Sequence, residues 1–518
     1  MRRGLLMAVG VCVAMGAGCA GPPVDPRPNV IVVLVDDMGY SDLGITGGDI
    51  QTPTLDRLAV EGVFMTQFYN NAKCSPSRAA LMTGRHPHEA GMGSAIWGLN
   101  RDPRPPGPYQ GYLRTDVPTV AELLRAEGYA TMLSGKWHLG EREPHWPRQR
   151  GFDRYFGLIG GASSYYELIT DQPRVRVMAN DDAPWTPPED GFYMTDAFAD
   201  SAAAFIAQHT DTSDAPFFLY LSFTAPHWPL HAPEDAIRAY DGAYDDGWEA
   251  LHAARSAELE DRQLVPDGLT PAPLPTSLPV WDTLTPDEQA TWARRMAVHA
   301  AMMTRMDAAL GRVLDQVGAT GEASNTLVLF ASDNGASAED VAGRGLNDPS
   351  VPIGAMGSYD AFREPWAWAS VAPFHRYKLN LDEGGIRTPL IAHWPDGLGP
   401  GGQRLDTPGH LIDLVPTILA AAGATPEAAF SGVSLLDHWR GGKLAARPLY
   451  WEYDGHRAIR QGSMKALYRE DEGTWSLYDL ASDPAEQQDL AADRPDTLST
   501  LTVAWDAWAA DVGVDVSR

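Results

Sequence analysis

Two apolar strands that end in the same way, far apart in the chain, limit the folds open to this sequence. Residues 30–35 form a continuous aliphatic, largely β-branched run, and residues 326–332 repeat it, as is typical of strands buried on both faces of a parallel sheet. Each run stops at two residues with side-chain oxygens. Because the carboxyl ends of parallel strands lie at one edge of a sheet, these four side chains should meet there. They are Asp36, Asp37, Asp333 and Asn334.

The order of the other segments predicts an α/β fold. Helical and strand-like runs alternate, which favours a large, mostly parallel mixed sheet flanked by helices. From about Leu449 the runs become short and alternating, which predicts a smaller antiparallel sheet with a closing helix from Thr497. We therefore expect a main domain over residues 28–440 and a small C-terminal α+β subdomain over residues 441–518. Residues 240–288, acidic and then rich in proline, are expected to run over the surface.

The charge of the chain argues against one class of partner. The 518 residues include 40 Lys and Arg against 68 Asp and Glu, a formal net charge of −28. The phosphate backbone would repel such an acidic protein, so we expect no nucleic-acid partner. The overall charge does not fix the sign of a local site, and an enzyme for anionic esters would need a small positive pocket.

Residues 1–19 have the pattern of a bacterial secretory signal peptide. Two arginines precede an apolar run over residues 5–15, which leads through small residues to Cys19. This run is shorter than the roughly twenty apolar residues that span a bilayer. Two outcomes stay open: a lipid anchor on Cys19, which would make the protein an outer-membrane lipoprotein, or release as a soluble periplasmic or secreted protein.

Cys74 is the one cysteine of the predicted mature fold. The chain has 3 cysteines, of which Cys12 lies in the signal, Cys19 at its end and Cys74 in the mature region. Cys74 has polar neighbours in K-C-S-P-S-R, and Pro76 favours the first turn of a helix whose free amide groups would face an anion. The alternative is a buried, inert thiol.

The oxygen-bearing pairs at the strand ends favour a hard divalent cation, Ca²⁺ or Mg²⁺, over a soft metal. Helix capping is the alternative role for Asp and Asn at such positions, although two pairs at two strand ends favour the metal. Sulfur is a poor ligand for a hard cation. A cysteine near this site therefore indicates that Cys74 is converted to an oxygen-bearing group.

Four further residues carry candidate cationic or proton-transferring side chains. Lys136 and His138 are two residues apart in G-K-W-H-L-G, so an extended backbone would direct both to one side, although a surface turn is the alternative. His227 follows a predicted strand at residues 217–222. Lys378 lies in K-L-N-L-D-E-G-G-I-R-T-P.

Together these motifs resemble the type I sulfatases of the alkaline phosphatase superfamily. The segment C-S-P-S-R-A-A-L-M-T-G-R follows the C-x-P-S-R pattern of that family, and G-Y-A-T-M-L-S-G-K-W-H-L-G is similar to its second motif. The segments P-L-H-A-P, G-F-D-R-Y-F-G and A-P-F-H-R-Y-K-L-N are most like bacterial arylsulfatases. The resemblance spans most of the chain and implies an alkaline-phosphatase-like fold.

The resemblance implies that Cys74 carries the nucleophile. A formylglycine-generating enzyme would oxidise it to Cα-formylglycine, whose hydrate attacks sulfur, and Arg78 would orient that hydrate. The implied ligands of the cation, Ca²⁺ with Mg²⁺ as the alternative, are Asp36, Asp37, Cys74 in its modified form, Asp333 and Asn334.

The resemblance also implies roles in sulfate binding and proton transfer. Lys136 and Lys378 would bind sulfate oxygens. His227, helped by Lys378, would protonate the departing alcohol. His138 would then remove a proton from the second hydroxyl of the hydrate to expel sulfate.

The implied function is hydrolysis of sulfate monoesters of aryl or small alkyl alcohols. Two alternatives use the same site: a phosphonate monoester or phosphodiester hydrolase, and a sulfatase for sulfated polysaccharides, which would need an open cleft. A non-catalytic binding protein on a decayed scaffold would lack a ligand or the nucleophile, and the sequence retains all of them.

Overall fold

The computed structural model describes residues 26–96, 104–170, 175–399, 401–425 and 428–517. The predicted signal peptide, with Cys12 and Cys19, lies outside the described residues. Within the described ranges, the helices lack the combination of length and apolar sequence that crossing a membrane requires.

The main sheet has eleven strands among the described residues. All eight residues of its central strand are buried, as the continuous apolar run predicts. The strands are β1 (Asn29–Asp36), β2 (Val63–Tyr69), β3 (Ala130–Gly135), β4 (Arg154–Leu158), β5 (Met178–Asn180), β6 (Ala183–Trp185), β7 (Phe217–Pro226), β8 (Thr326–Ser332), β9 (Arg387–His393), β10 (Gln403–Leu405) and β11 (Gly409–His410).

The strand order is β10-β2-β9-β8-β1-β7-β3-β4-β5-β6, with β11 also paired to β2. The central strands β8, β1, β7, β3 and β4 are parallel, whereas β9 is antiparallel to both β2 and β8. In the register of β1 and β8, Val35 lies opposite Ser332, so both strands end at the same level. The predicted mostly parallel mixed sheet is confirmed.

Helices cover both faces of this sheet. Ile31 and Val33 of β1 belong to one hydrophobic core, and the alternate residues Val30 and Val32 belong to the other. The helices are α1 (Pro53–Glu61), α2 (Cys74–Thr83), α3 (Val120–Ala126), α4 (Met194–Thr210), α5 (Glu234–Arg238), α6 (Gly247–Asp261), α7 (Pro286–Thr320), α8 (Arg363–Ser370), α9 (Glu383–Ile386), α10 (Leu414–Ala421), α11 (Leu436–Trp439) and α12 (Pro495–Val512).

The prediction that residues 240–288 only run over the surface was wrong for part of this segment. Trp248 on α6 is fully buried, and Trp281 is also buried. The ring of Trp248 packs edge-on against Trp281, with centroids 4.8 Å apart, and against Trp366 at 5.6 Å. Isolated aromatic residues in an acidic sequence gave no periodic signal, yet they anchor the segment to the core.

The C-terminal part forms a separate four-stranded antiparallel sheet, as predicted. Its second strand, residues 456–461, was missed because H-R-A-I-R-Q is polar at most positions. Helix α12 covers one face of this sheet. The domain boundary between residues 440 and 441 stays a prediction. The strands are β12 (Leu449–Tyr453), β13 (His456–Gln461), β14 (Met464–Arg469) and β15 (Thr474–Asp479).

Replacing Trp505 with alanine is expected to destabilise the small sheet by about 3–5 kcal/mol, the usual cost of removing a large buried side chain. Trp505 of α12 is fully buried, and its Nε1 donates a hydrogen bond of 3.0 Å to the carbonyl of Trp451. Urea denaturation followed by tryptophan fluorescence would measure the change. Val503→Ala on the same helix is the control, because Val503 is 65% exposed and should cost less than about 0.5 kcal/mol. Equal effects would contradict the packing described.

Candidate active site

Four oxygen-bearing side chains meet at the carboxyl ends of β1 and β8, as the strand patterns predicted. All four are buried. Within this group Asp36 Oδ1, Asp37 Oδ2 and Asn334 Oδ1 have no hydrogen-bond partner, although buried polar atoms are almost always paired. These unpaired oxygens on neighbouring side chains fit a hard divalent cation, to which the carboxylate of Asp333, next to Asn334 in the chain, could add a ligand.

Cys74 opens helix α2 beside this group. All ten residues of the helix are buried, and Cys74 itself is 1% exposed. A ligand atom of each of Asp36, Asp37, Cys74 and His227 lies within 4.8 Å of the others. Burial and the Asp36 carboxylate raise the pKa of the Cys74 thiol to about 12. The unmodified side chain is therefore a protonated thiol, a poor nucleophile and a poor ligand for a hard cation.

Two lysines are paired with the aspartates that follow β1. Lys136, from the turn after β3, donates to Asp36 Oδ2. Lys378 Nζ donates to Asp37 Oδ1 at 2.6 Å. Burial alone would lower the pKa of Lys378, but Asp37 and other acidic neighbours raise it well above its usual value. Both ammonium groups are thus held beside the oxygen-bearing side chains at the strand ends.

Arg78 pairs with the remaining aspartate. Its Nη2 and Nε lie 2.8 and 3.0 Å from Asp333 Oδ2, and Nη1 donates to Ser222 Oγ at 2.5 Å. Since α2 begins at Cys74, Arg78 lies one helical turn further on and shares its face. Each of the three aspartates in this site is therefore paired with a cationic side chain. A divalent cation would leave it positive, as an anionic ester requires.

His227 lies at the end of β7, and its two ring nitrogens have different surroundings. Nδ1 is 2.6 Å from the carbonyl oxygen of Trp228, so Nδ1 must carry the hydrogen that is donated. Nε2 is 3.6 Å from Asp37 Oδ2. Burial lowers the pKa of His227 to about 4, although Asp37 and Asp36 oppose this effect. Nε2 is therefore the atom that can exchange a proton in the site.

His138 follows Lys136 closely, but the backbone between them is not the extended one we expected. The strand ends at Gly135, and His138 has a φ of 56°, in the left-handed region. Its backbone amide donates to the carbonyl of Ile159 at 3.1 Å, and the residue is 7% exposed. The direction of its side chain therefore does not follow from two-residue spacing.

Left-handed backbone conformations recur around the site at residues that are not glycine. Asp37, Ala72 and Leu379 have φ angles of 74°, 58° and 77°. Such conformations cost on the order of 1–3 kcal/mol each and persist where the surrounding structure enforces them. Asp37 belongs to the oxygen group, Ala72 precedes Cys74 by two residues, and Leu379 follows Lys378.

Sequence reasoning missed Glu339, a carboxylate beside Lys378. Its Oε2 lies 3.3 Å from Lys378 Nζ and 4.0 Å from Lys73 Nζ, and it accepts a hydrogen bond of 3.1 Å from Trp228 Nε1. Burial opposes its ionisation, but Lys378, Lys73 and His227 hold the pKa of Glu339 well below its usual range. It stands in an irregular loop after β8, where no periodic pattern marks it.

An α/β sheet whose strand ends hold oxygen ligands, lysines and a buried cysteine defines a hydrolase of the alkaline-phosphatase-like fold. The sequence profile of the sulfatase family matches residues 28–424, and that of the N-sulphoglucosamine sulphohydrolase C-terminal region matches residues 375–502. The chain belongs to the sulfatase family and is a sulfuric ester hydrolase, which confirms the family and enzyme class predicted from the sequence.

Known relatives resemble the chain over most of its length. An uncharacterized sulfatase of Schizosaccharomyces pombe is 35% identical over 536 residues, covering 94% of each chain. The arylsulfatase of Klebsiella aerogenes is 34% identical over 442 residues, covering 82% of this chain and 92% of the relative. The crystal structure of Ps i-CgsB in complex with k-i-k-neocarrahexaose has a TM-score of 0.69 at 25% identity and covers 93% of both chains.

Calcium is expected to raise the thermal denaturation midpoint of the unmodified chain, because it would fill a site of unpaired oxygens. At a concentration one hundred times Kd a bound ion contributes about 2.7 kcal/mol to stability. Asn334→Ala should abolish most of this increase, since it removes an unpaired oxygen. Thermal scans after EDTA treatment, with and without added Ca²⁺, would measure it.

Asn29→Ala is the matched control for the calcium experiment. Asn29 is a buried asparagine at the opposite end of β1, where its Oδ1 accepts a hydrogen bond of 3.0 Å from the amide of Phe217. This variant should keep the full response to Ca²⁺. An equal response in both variants would show that the cation binds elsewhere.

Proposed function

We propose that this chain hydrolyses sulfate monoesters of aryl or small alkyl alcohols, using Cα-formylglycine formed from Cys74 and a bound Ca²⁺. One observation carries the proposal: Asp36 and Asp37, each with an unpaired buried oxygen and each bound by a lysine, lie beside Cys74. The residues that would hold the cation are Asp36, Asp37, Asp333, Asn334 and the modified Cys74.

A cation held by these residues would withdraw charge from the sulfate oxygens, and the hydrated aldehyde at residue 74 would supply an oxygen nucleophile with a second hydroxyl. Lys136 and Lys378 bind the sulfate, because their ammonium groups are already fixed by Asp36 and Asp37 and need no reorganisation. Arg78 orients residue 74 from the next turn of α2.

Proton transfer is assigned to the two histidines. Because His227 keeps its hydrogen on Nδ1 against the Trp228 carbonyl, its Nε2 first takes up the proton that the attacking hydroxyl releases, and then passes it to the departing alcohol, with Lys378 beside it. His138 would remove the proton of the second hydroxyl of the hydrate, and loss of this proton allows sulfate to leave. Its left-handed backbone makes its orientation depend on the surrounding structure.

Maturation by a formylglycine-generating enzyme belongs to the same proposal. Cys74 is 1% exposed at the start of a wholly buried helix, so a modifying enzyme would reach it before the chain folds. The predicted signal peptide supports a periplasmic location, with either a lipid anchor on Cys19 or release as a soluble protein.

A second candidate substrate class is sulfated carbohydrate. The similarity to Ps i-CgsB, solved with k-i-k-neocarrahexaose, favours this candidate, whereas the similarity to the Klebsiella aerogenes arylsulfatase favours small aryl sulfates. Both classes use the same reaction at the same site and differ in the alcohol that leaves.

The matured chain is expected to hydrolyse 4-nitrophenyl sulfate, and Cys74→Ala to lower kcat/KM at least about 10³-fold, as loss of a nucleophile does. Initial rates on the matched 4-nitrophenyl phenylphosphonate test the alternative. Faster cleavage of the phosphonate would keep the site and reassign the enzyme as a phosphonate hydrolase. Equal activity of the Cys74→Ala chain would refute the nucleophile.

Comparison of 4-nitrophenyl sulfate with a sulfated hexasaccharide is expected to give the higher kcat/KM for the aryl sulfate. Released sulfate, measured by ion chromatography, provides one assay for both substrates. The Cys74→Ala chain corrects for background with each. A kcat/KM at least about tenfold higher for the saccharide would instead establish the carbohydrate class.

A further inference from the structure

Lys378 lies in residues 375–387, which lead from an irregular loop through the short helix α9 to the first residue of β9 and which we call the Lys378 segment. On the side of the site its backbone is fixed at two points. The amide of Lys378 donates to the carbonyl of Ala336 at 3.0 Å, and the amide of Leu379 donates to that of Ala72 at 2.9 Å. The segment therefore connects the loop after β8 with the approach to α2.

On its other side the Lys378 segment is bound by charged residues of the small sheet. Asp382 Oδ1 accepts hydrogen bonds from Arg469 Nε at 3.0 Å and Nη2 at 2.7 Å. Glu383 Oε1 accepts one from Lys465 Nζ at 2.9 Å. Both cations belong to β14, and all four side chains are buried.

Glu486 closes this network. Its Oε2 accepts a hydrogen bond of 2.8 Å from the backbone amide of Glu383, and its Oε1 lies 2.8 Å from Lys465 Nζ. Burial would lower the pKa of Lys465, but the carboxylates of Glu383 and Glu486 raise it. The ammonium group therefore stays charged and joins the segment to the small sheet.

The same residues do not make a second metal site. Ligand atoms of His375, Asp382 and Glu486 lie within 4.8 Å of one another. However, the Arg469 guanidinium contacts Asp382 at 2.7 Å, and the Lys465 ammonium lies 2.8 Å from Glu486. These two cations already neutralise the carboxylates and would repel a metal ion.

Buried ion pairs contribute little net stability, because the loss of solvation offsets their attraction. Apolar residues would hold two sheets together at least as well. What the network adds is position, since two N–H groups of Arg469 converge on Asp382 Oδ1 while Lys465 holds the next residue, Glu383. The Lys378 segment is also tightly packed, because a Cβ atom on Gly384 would lie 2.0 Å from the carbonyl oxygen of Arg376. A displacement of its backbone would therefore meet steric resistance.

We propose that Arg469 and Lys465 of the small sheet, together with Glu486 from the chain after it, are positioning residues for Lys378. They hold Asp382 and Glu383, and through them the segment that aims the Lys378 ammonium at the sulfate. The small sheet thus takes part in the reaction without touching the substrate. The inference rests on the proposed role of Lys378 in binding sulfate.

A double-mutant cycle on the matured full chain tests this inference. Kinetics on 4-nitrophenyl sulfate would be measured for Arg469→Met, Lys378→Met and the double variant. Arg469→Met is expected to lower kcat/KM about tenfold or more, because small displacements of catalytic groups are costly. In the Lys378→Met background the same change should cost less than about twofold, since the group it positions is gone.

Arg150→Met is the control for loss of a buried arginine as such. Arg150 is buried before β4, where its Nη2 donates to the carbonyl of Val117 at 2.8 Å. It should lower the thermal denaturation midpoint and leave kcat/KM within about twofold. If Arg469→Met does not fold, Arg469→Lys serves in the same cycle, because it keeps the charge and loses the two-bond geometry.

The outcomes distinguish the positioning of Lys378 by the small sheet from the role of Lys378 itself. A full tenfold effect of the Arg469 variant in the Lys378→Met background would overturn positioning through Lys378. Unchanged kcat/KM in Lys378→Met alone would overturn the proposed role of Lys378 itself, and with it this inference. Loss of activity confined to the Lys378-containing background supports it.

Discussion

The pairing of buried aspartates with buried cations is the constraint on which the rest of this structure depends. Asp36, Asp37 and Asp333 stand at the ends of central strands, where burial makes an isolated carboxylate very costly. Each is matched by a lysine or arginine from a different part of the chain. Burial of these strand ends is therefore stable only when those distant segments have packed against them. Formation of the fold and assembly of the site depend on the same contacts.

The features predicted from the sequence were those with a strong local pattern. Continuous apolar runs identified β1 and β8, and the oxygen-bearing residues after them identified the edge where the site lies. Glu339 was not predicted, because its role depends on its distance to Lys378 in the folded chain and no sequence spacing indicates that distance. Strand β13 and Trp248 were missed because polar neighbours dilute their apolar residues, so tertiary packing decided their place.

The two sheets of this sulfatase differ in what they supply. The main sheet provides most of the polar side chains of the site, through strand ends and the turns after them. The small sheet supplies a buried ionic network, built on β14 and on Glu486, that meets the Lys378 segment from behind. In the positioning that we propose, the placement of the small sheet relative to the main sheet determines the geometry of the site.

The wide sequence separation of the site residues affects how fast the chain folds. The side chains of Asp37 and Asn334 are hydrogen-bonded although 297 residues separate them. Chains dominated by such non-local pairings fold slowly, because closing a long loop costs conformational entropy before the stabilising contacts form. Helix α2 is buried only once the strands around it have assembled, so Cys74 stays in an open chain for that interval. The slow topology thereby defines a period during which Cys74 is accessible, and this period ends when folding is complete.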